Sequence, residues 1–150
     1  MDAAAKVALN AEDYELYGAI MATVASAQKE RNHLAHGQFG FSHQIKRGVL
    51  WTDPMNLVRH GLRLRLEDIT PEHTERLLQQ TFVYEPEDIE TVNVMIEDCI
   101  LTLRQLAAYV ERDPSTVRAE SYLQLSSRPR VQQELNRLRQ GQKKTQSKPH

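Results

Sequence analysis

The stretch EPEDIETVNVMIEDCILTLRQLAAYVERDP, residues 85–114, decides the fold class. Glu85-Pro86-Glu87-Asp88 opens it with proline in a first turn and acids at the positive end of a helix dipole. Ile89, Val92, Ile96, Cys99, Leu103, Leu106 and Val110 then alternate spacings of three and four, and Met95 and Ile100 broaden the stripe. That is the period of a helix with one apolar face, and Asp113-Pro114 ends it. Such a seam asks for a helical partner packed at a shallow angle.

Working outward, the partner is the segment from about Asn10 to His36, where Leu16, Ile20, Val24 and Ala27 recur at helical spacing beside Tyr17 and Met21. Asn10 with Asp13 is a cap region, and Gly37 is a natural stop. Thr70-Pro71-Glu72 starts a shorter helix that ends near Gln80, and Val131, Leu135 and Leu138 mark a last amphipathic piece,. Residues 37–69 read differently. Gly37, Gly40, Gly48 and Asp53-Pro54 punctuate them, Val49-Leu50-Trp51 is a short apolar run, and Leu62, Leu64 and Leu66 alternate with Arg63 and Arg65. Period-two alternation predicts a β-ribbon or loop insertion at about 47–66. Leu and Arg are weak strand formers, so a helix over 57–66 is the rival. The expected architecture is mostly α: a bundle of two long antiparallel helices with shorter ones and the insertion. Residues 1–140 form one domain and 141–150 a basic disordered tail. Two long helices make a thin core, which favours a homodimer.

Composition narrows the function classes. The 150 residues carry 40% apolar and 26% charged side chains, ordinary values for a globular protein,. The single cysteine, Cys99, excludes an internal disulfide and a cysteine-based zinc site,. No apolar run approaches the roughly 20 residues that span a bilayer, and Met1-Asp2-Ala3-Ala4-Ala5-Lys6 lacks the pattern of a secretory signal,. A cytoplasmic location without a membrane partner is expected. The net charge of −1 conceals an uneven distribution. Residues 1–127 sum to −7, whereas residues 128–150 sum to +6, with Glu134 their only acid. A second basic stretch holds Lys46, Arg47, Arg59, Arg63 and Arg65, interrupted by Asp53. Local patches, not the total, attract a polyanion.

The densest polar cluster is Glu30-Arg31-Asn32-His33-Leu34-Ala35-His36-Gly37. Asn32 and His36 lie about 40° apart on the helix, and Arg31 about 100° from Asn32, continuing the apolar stripe. A guanidinium there must be paired or line a cavity. Arg grips phosphate bidentately, an amide orients, and His moves a proton near neutral pH. The alternative is a structural salt bridge with a helix-end histidine.

Arg31-Asn32-His33-Leu34-Ala35-His36 resembles the motif of the HEPN superfamily, in which an Arg precedes a His by five positions and a polar residue follows the Arg. The similarity extends over about residues 12–111 and includes Gly37, Phe39 and the Trp51-Thr52-Asp53-Pro54 turn, as in small uncharacterised bacterial HEPN-like proteins. The resemblance implies an all-helical dimer that joins two motifs in a cleft, and in active members that cleft is a metal-independent endoribonuclease. Carried over, Arg31 holds the scissile phosphate, His36 is general acid or base as the 2′-hydroxyl attacks, and Asn32 orients the phosphate or the histidine. Lys46, Arg47, Arg63 and Arg65 are then the RNA-binding residues. No cofactor or metal is expected. Toxin or antiphage-defence roles, with a cognate antitoxin or a nucleotidyltransferase partner, belong to the same expectation, as does an inactive module that binds protein or nucleotide. The chain departs from the family in one respect: the helices that usually precede the motif helix are shortened or missing.

The remaining candidates have plainer readings. His33, His36 and His43 lack the neighbours of a metal set. His60 and His73 read as surface residues, and Cys99 as a core residue. Trp51 and Phe39 are core plugs or base-stacking platforms.

Overall fold

The computed structural model describes residues 2–66, 68–111 and 116–146. Among them seven helices and three short strands follow in the order α1 (Asp2–Ala8), α2 (Ala11–His36), β1 (Gln38–Gly40), β2 (Val49–Thr52), α3 (Pro54–Arg65), α4 (Pro71–Gln79), β3 (Thr81–Tyr84), α5 (Pro86–Glu111), α6 (Thr116–Ser126) and α7 (Pro129–Gln146). The protein is therefore mostly α. Among the described residues no helix is long and apolar enough to cross a membrane. The chain divides into two compact units, one formed by the residues up to 28 and from 95 onward, the other by residues 29–94. Both long helices, α2 and α5, contribute to each unit.

The first unit is helical. Its core joins Leu16, Ala19 and Ile20 of α2 to Leu106 and Tyr109 of α5, Leu125 of α6, and Val131 and Leu135 of α7. Leu16, Ala19 and Ile20 have no exposed surface. Burial of each large apolar side chain contributes about 1.5–3 kcal/mol before chain entropy is set against it. The polar contacts fix direction. Tyr109 Oη donates to Asp13 Oδ1, and the Cys99 thiol lies 4.0 Å from the Thr23 carbonyl. Ten residues forward on α2 thus match ten residues backward on α5, which makes this part of the pair antiparallel. Asn10 caps α2 reciprocally: its Oδ1 accepts from the Asp13 amide at 2.8 Å and its Nδ2 donates to Asp13 Oδ2 at 2.8 Å,. Arg139 of α7 forks onto Glu15 through two bonds of 3.1 Å. Arg128, ahead of α7, reaches Asp98 and Gln105 of α5.

The buried face of α5 is Met95, Cys99, Thr102, Leu106 and Tyr109. Cys99 and Leu106 come from the expected seam, but Ile89 and Val110 are exposed. The apolar pattern passes over Thr102 and Tyr109, whose hydroxyls find internal partners: Thr102 Oγ1 donates to Asp98 O at 2.7 Å, and Tyr109 meets Asp13. A satisfied hydroxyl can be buried without penalty, and the stripe turns accordingly. Helix α6 supplies Leu125, which the sequence reading had assigned to no element. Asp113-Pro114, read as the end of the long helix, lies outside the described residues; α5 ends at Glu111. Helix α7 continues to Gln146, into the segment expected to be a disordered tail, and residues 147–150 lie outside the description.

The second unit is built round a three-stranded antiparallel sheet in the order β1-β2-β3. Phe39 pairs with Trp51, and Trp51 with Phe82, so the tryptophan sits on the middle strand. Gly48, at φ +134°, turns the chain into β2, and a Cβ there would lie 2.9 Å from the Tyr84 carbonyl,. Asp53 then caps α3 through a 2.8 Å bond from the Met55 amide, with Pro54 in the first turn. Thr70 caps α4 in a box completed by His73, and α4 ends at Gln79 with Gln80 as its C-cap directly before β3.

The β-ribbon expected over 47–66 is corrected: strand β2 is confined to 49–52, and residues 54–65 are helical. The alternation of Leu62, Leu64 and Leu66 has no buried side behind it, since all three are more than half exposed. A period-two pattern with no apolar surface to face exerts no pull toward a strand. The Asp53-Pro54 start and the helix propensity of Leu and Arg decide instead.

Candidate functional site

The motif cluster occupies the last two turns of α2, within the second unit. Burial along α2 stops at Ala27, so Arg31 does not continue a packed stripe. Arg31 is exposed, and its Nη1 donates to Asn32 Oδ1 at 3.1 Å. Among the described residues no carboxylate forms an ion pair with it, so the structural salt bridge weighed from the sequence does not form. Asn32 therefore holds the guanidinium, and no hydrogen bond between it and His36 is described. His36 is exposed at the final position of the helix.

The helix end is braced by aromatic packing. The ring of His33 lies 3.9 Å from that of Trp51 at 33°, with Phe82 at 5.7 Å and Tyr84 at 6.4 Å. Trp51 is 5% exposed, and its Nε1 donates at 3.4 Å to the Leu34 carbonyl, which also accepts from the Gly37 amide at 3.4 Å. Gly37 makes the approach possible, because a Cβ at this position would lie 1.5 Å from Trp51 Nε1. Of the two roles weighed for Trp51, core plug is the one it fills. Burial, and then Glu30 and Asp88, push the Tyr84 phenol above its ordinary range. The cluster of His33, Phe82 and Tyr84 is not legible in the sequence. Its one local signal was the β-branched and aromatic run Thr81-Phe82-Val83-Tyr84.

The residues expected to bind RNA lie on two elements. Lys46 and Arg47 are exposed in the loop before β2, and Arg47 is paired with Glu87 at the start of α5. Arg63 and Arg65 lie in the last turn of α3. Among the described residues no hydrogen bond or ion pair joins these four to Arg31 or His36. Arg63 instead helps line a cavity of about 180 Å³ with Asn56, Arg59 and His60 of α3 and His73, Arg76, Leu77 and Gln80 of α4 and its cap. His60 and His73, read as surface residues, line this hollow and are half-buried. Among the described residues no three side chains of His, Cys, Asp and Glu gather as a metal set.

Comparison of the chain with protein-family models, with curated proteins and with solved structures returns no match.

Proposed function

We propose that this chain is a metal-independent endoribonuclease of the HEPN type, acting as a homodimer through Arg31, Asn32 and His36. One observation carries the reading: the Arg31 guanidinium is exposed, paired with no described carboxylate, and held by Asn32 at 3.1 Å near the end of a braced helix. A guanidinium kept free of acids presents its fork to a phosphate. His36 follows Arg31 by five positions, which sets them about 140° apart on the helix,. One copy of α2 thus points the two groups in different directions, and a second copy is the economical way to bring an Arg and a His to one phosphate.

In this reading Arg31 stabilises charge developing on the phosphate while the neighbouring 2′-hydroxyl attacks phosphorus. The bond to the 5′-oxygen breaks, leaving a 2′,3′-cyclic phosphate and a 5′-hydroxyl. His36 takes the proton from the 2′-hydroxyl or supplies one to the departing 5′-oxygen. The test is incubation of the full chain with cellular RNA in the presence of a chelator, followed by analysis of the ends. Cleavage with cyclic phosphate ends is expected, falling about 10²–10⁴-fold in His36→Ala and comparably in Arg31→Ala. Absence of cleavage, or cleavage unchanged in His36→Ala, overturns the proposal. Sedimentation at micromolar concentration is expected to give a dimer.

A further inference from the structure

Helices α3 and α4 face a common hollow with matched stripes. Asn56, Arg59, His60 and Arg63 fall at relative positions 0, 3, 4 and 7, and so do His73, Arg76, Leu77 and Gln80. These spacings mark one face of a helix, and in an ordinary helix pair they carry leucine, isoleucine and valine. Here three guanidiniums, two imidazoles and two carboxamides occupy them, with Leu77 alone apolar. Neither helix has a fully buried residue.

Among the described residues no carboxylate lines the hollow. Among the described residues Arg59, Arg63 and Arg76 form no ion pair. Glu72, the nearby acid whose charge reaches His73 and Arg76, is turned to the helix start. The Thr70 hydroxyl is the main cause of its lowered pKa, its own backbone amide the next, and His73 and Arg76 contribute less. Glu75 accepts from Gln79 on its own helix. Three cations around one cavity repel one another, and an anion between them removes that repulsion. His73 is fixed in place, with Nδ1 3.4 Å from the Thr70 amide and 3.2 Å from the Asp68 carbonyl.

We propose that the α3–α4 hollow is an anion site that takes a phosphate group, as inorganic phosphate or as the phosphate of a mononucleotide. Arginine forks match phosphate oxygens in pairs, and the imidazoles and amides of Asn56 and Gln80 supply the shorter donors. The volume of about 180 Å³ is below the roughly 300–1,000 Å³ of pockets that enclose drug-sized ligands. It suits a phosphate with its substituent left outside. Neither Arg31 nor His36 lines the site, and its existence does not require cleavage there.

The test is a titration of the full chain, followed by backbone amide resonances, with inorganic phosphate, with adenosine monophosphate, and with chloride at matched ionic strength. Saturable shifts centred on residues 56–63 and 73–80 are expected with both phosphates and not with chloride. Equal affinities identify the phosphate group alone as the ligand; tighter binding of the nucleotide identifies its ester as the natural source. Arg63→Gln and Arg76→Gln are each expected to weaken binding about tenfold or more, and Arg63→Lys by less, because it keeps the charge and loses the fork. Circular dichroism checks that each variant keeps its helices. Shifts identical to those with chloride, or affinity unchanged in both glutamine variants, overturn the proposal.

Discussion

The α2–α5 pair in the first unit and the α3–α4 pair in the second are two answers to what lies between neighbouring helices. Between α2 and α5 are Leu16, Ala19, Ile20 and Leu106, closed at one end by the Asp13–Tyr109 bond. Between α3 and α4 are arginines, histidines and a cavity. The first pair is held by what it buries. The second is held at its ends, by the Asp53 and Thr70 caps and by the continuation of α4 into β3. The difference teaches which face has been given up to something other than stability: a face that contributes nothing to the core is free to be charged.

Substitutions break this comparison most sharply where burial is complete. Leu16→Ala removes a side chain with no exposed surface, and a loss of about 2–5 kcal/mol is expected in denaturant unfolding. Gly37→Ala comes next, since its Cβ would lie 1.5 Å from Trp51 Nε1 and the indole is packed against His33, Phe82 and Tyr84. A loss of about 1–3 kcal/mol is expected, with altered tryptophan emission as its mark.

Alkaline pH has a smaller effect that leans toward the first unit. Burial raises the Cys99 thiol, with Asp98 adding to it, and the Tyr122 phenol, with Glu12 adding to it. Tyr84 is the corresponding group in the second unit. Groups raised in the folded state hold their protons longer than they do unfolded. Their contribution is complete below the unfolded values, about 8.5 for a thiol and 10 for a phenol, and is lost as pH rises through the folded ones. A thermal midpoint that falls between pH 8 and 11 by circular dichroism is the expected result. The smallest effect sharpens the contrast from the other side. Arg63→Leu is expected to shift stability by less than about 0.5 kcal/mol, toward greater stability at low salt, because it relieves repulsion and breaks no described bond.

How much could be read in advance follows from how local each determinant is. The starts of α4 and α5 lie in Thr70-Pro71-Glu72 and Glu85-Pro86, where cap, proline and acid act within one turn. The long helices follow from periodicity. The sheet does not, since β1 has three residues and the middle strand pairs with one segment ten to fourteen positions earlier and another about thirty later. The Leu62–Leu66 alternation imitated a strand because pattern alone does not say whether an apolar surface waits opposite it. The hollow was out of reach for the same reason: Arg59, His60 and Arg63 form a stripe only once α3 is helical. At the motif, the grouping of Arg31 with Asn32 was legible because they are adjacent. The bracing by Trp51, seventeen residues from Leu34, was not.

One feature of composition gives the two units separate voices. The single tryptophan, Trp51, belongs to the second unit, and the single cysteine, Cys99, to the first. Selectively excited tryptophan emission therefore reports the sheet unit alone, and thiol trapping reports the helical unit alone. Each half of the molecule carries its own native probe, so unfolding can be followed unit by unit in the unaltered chain.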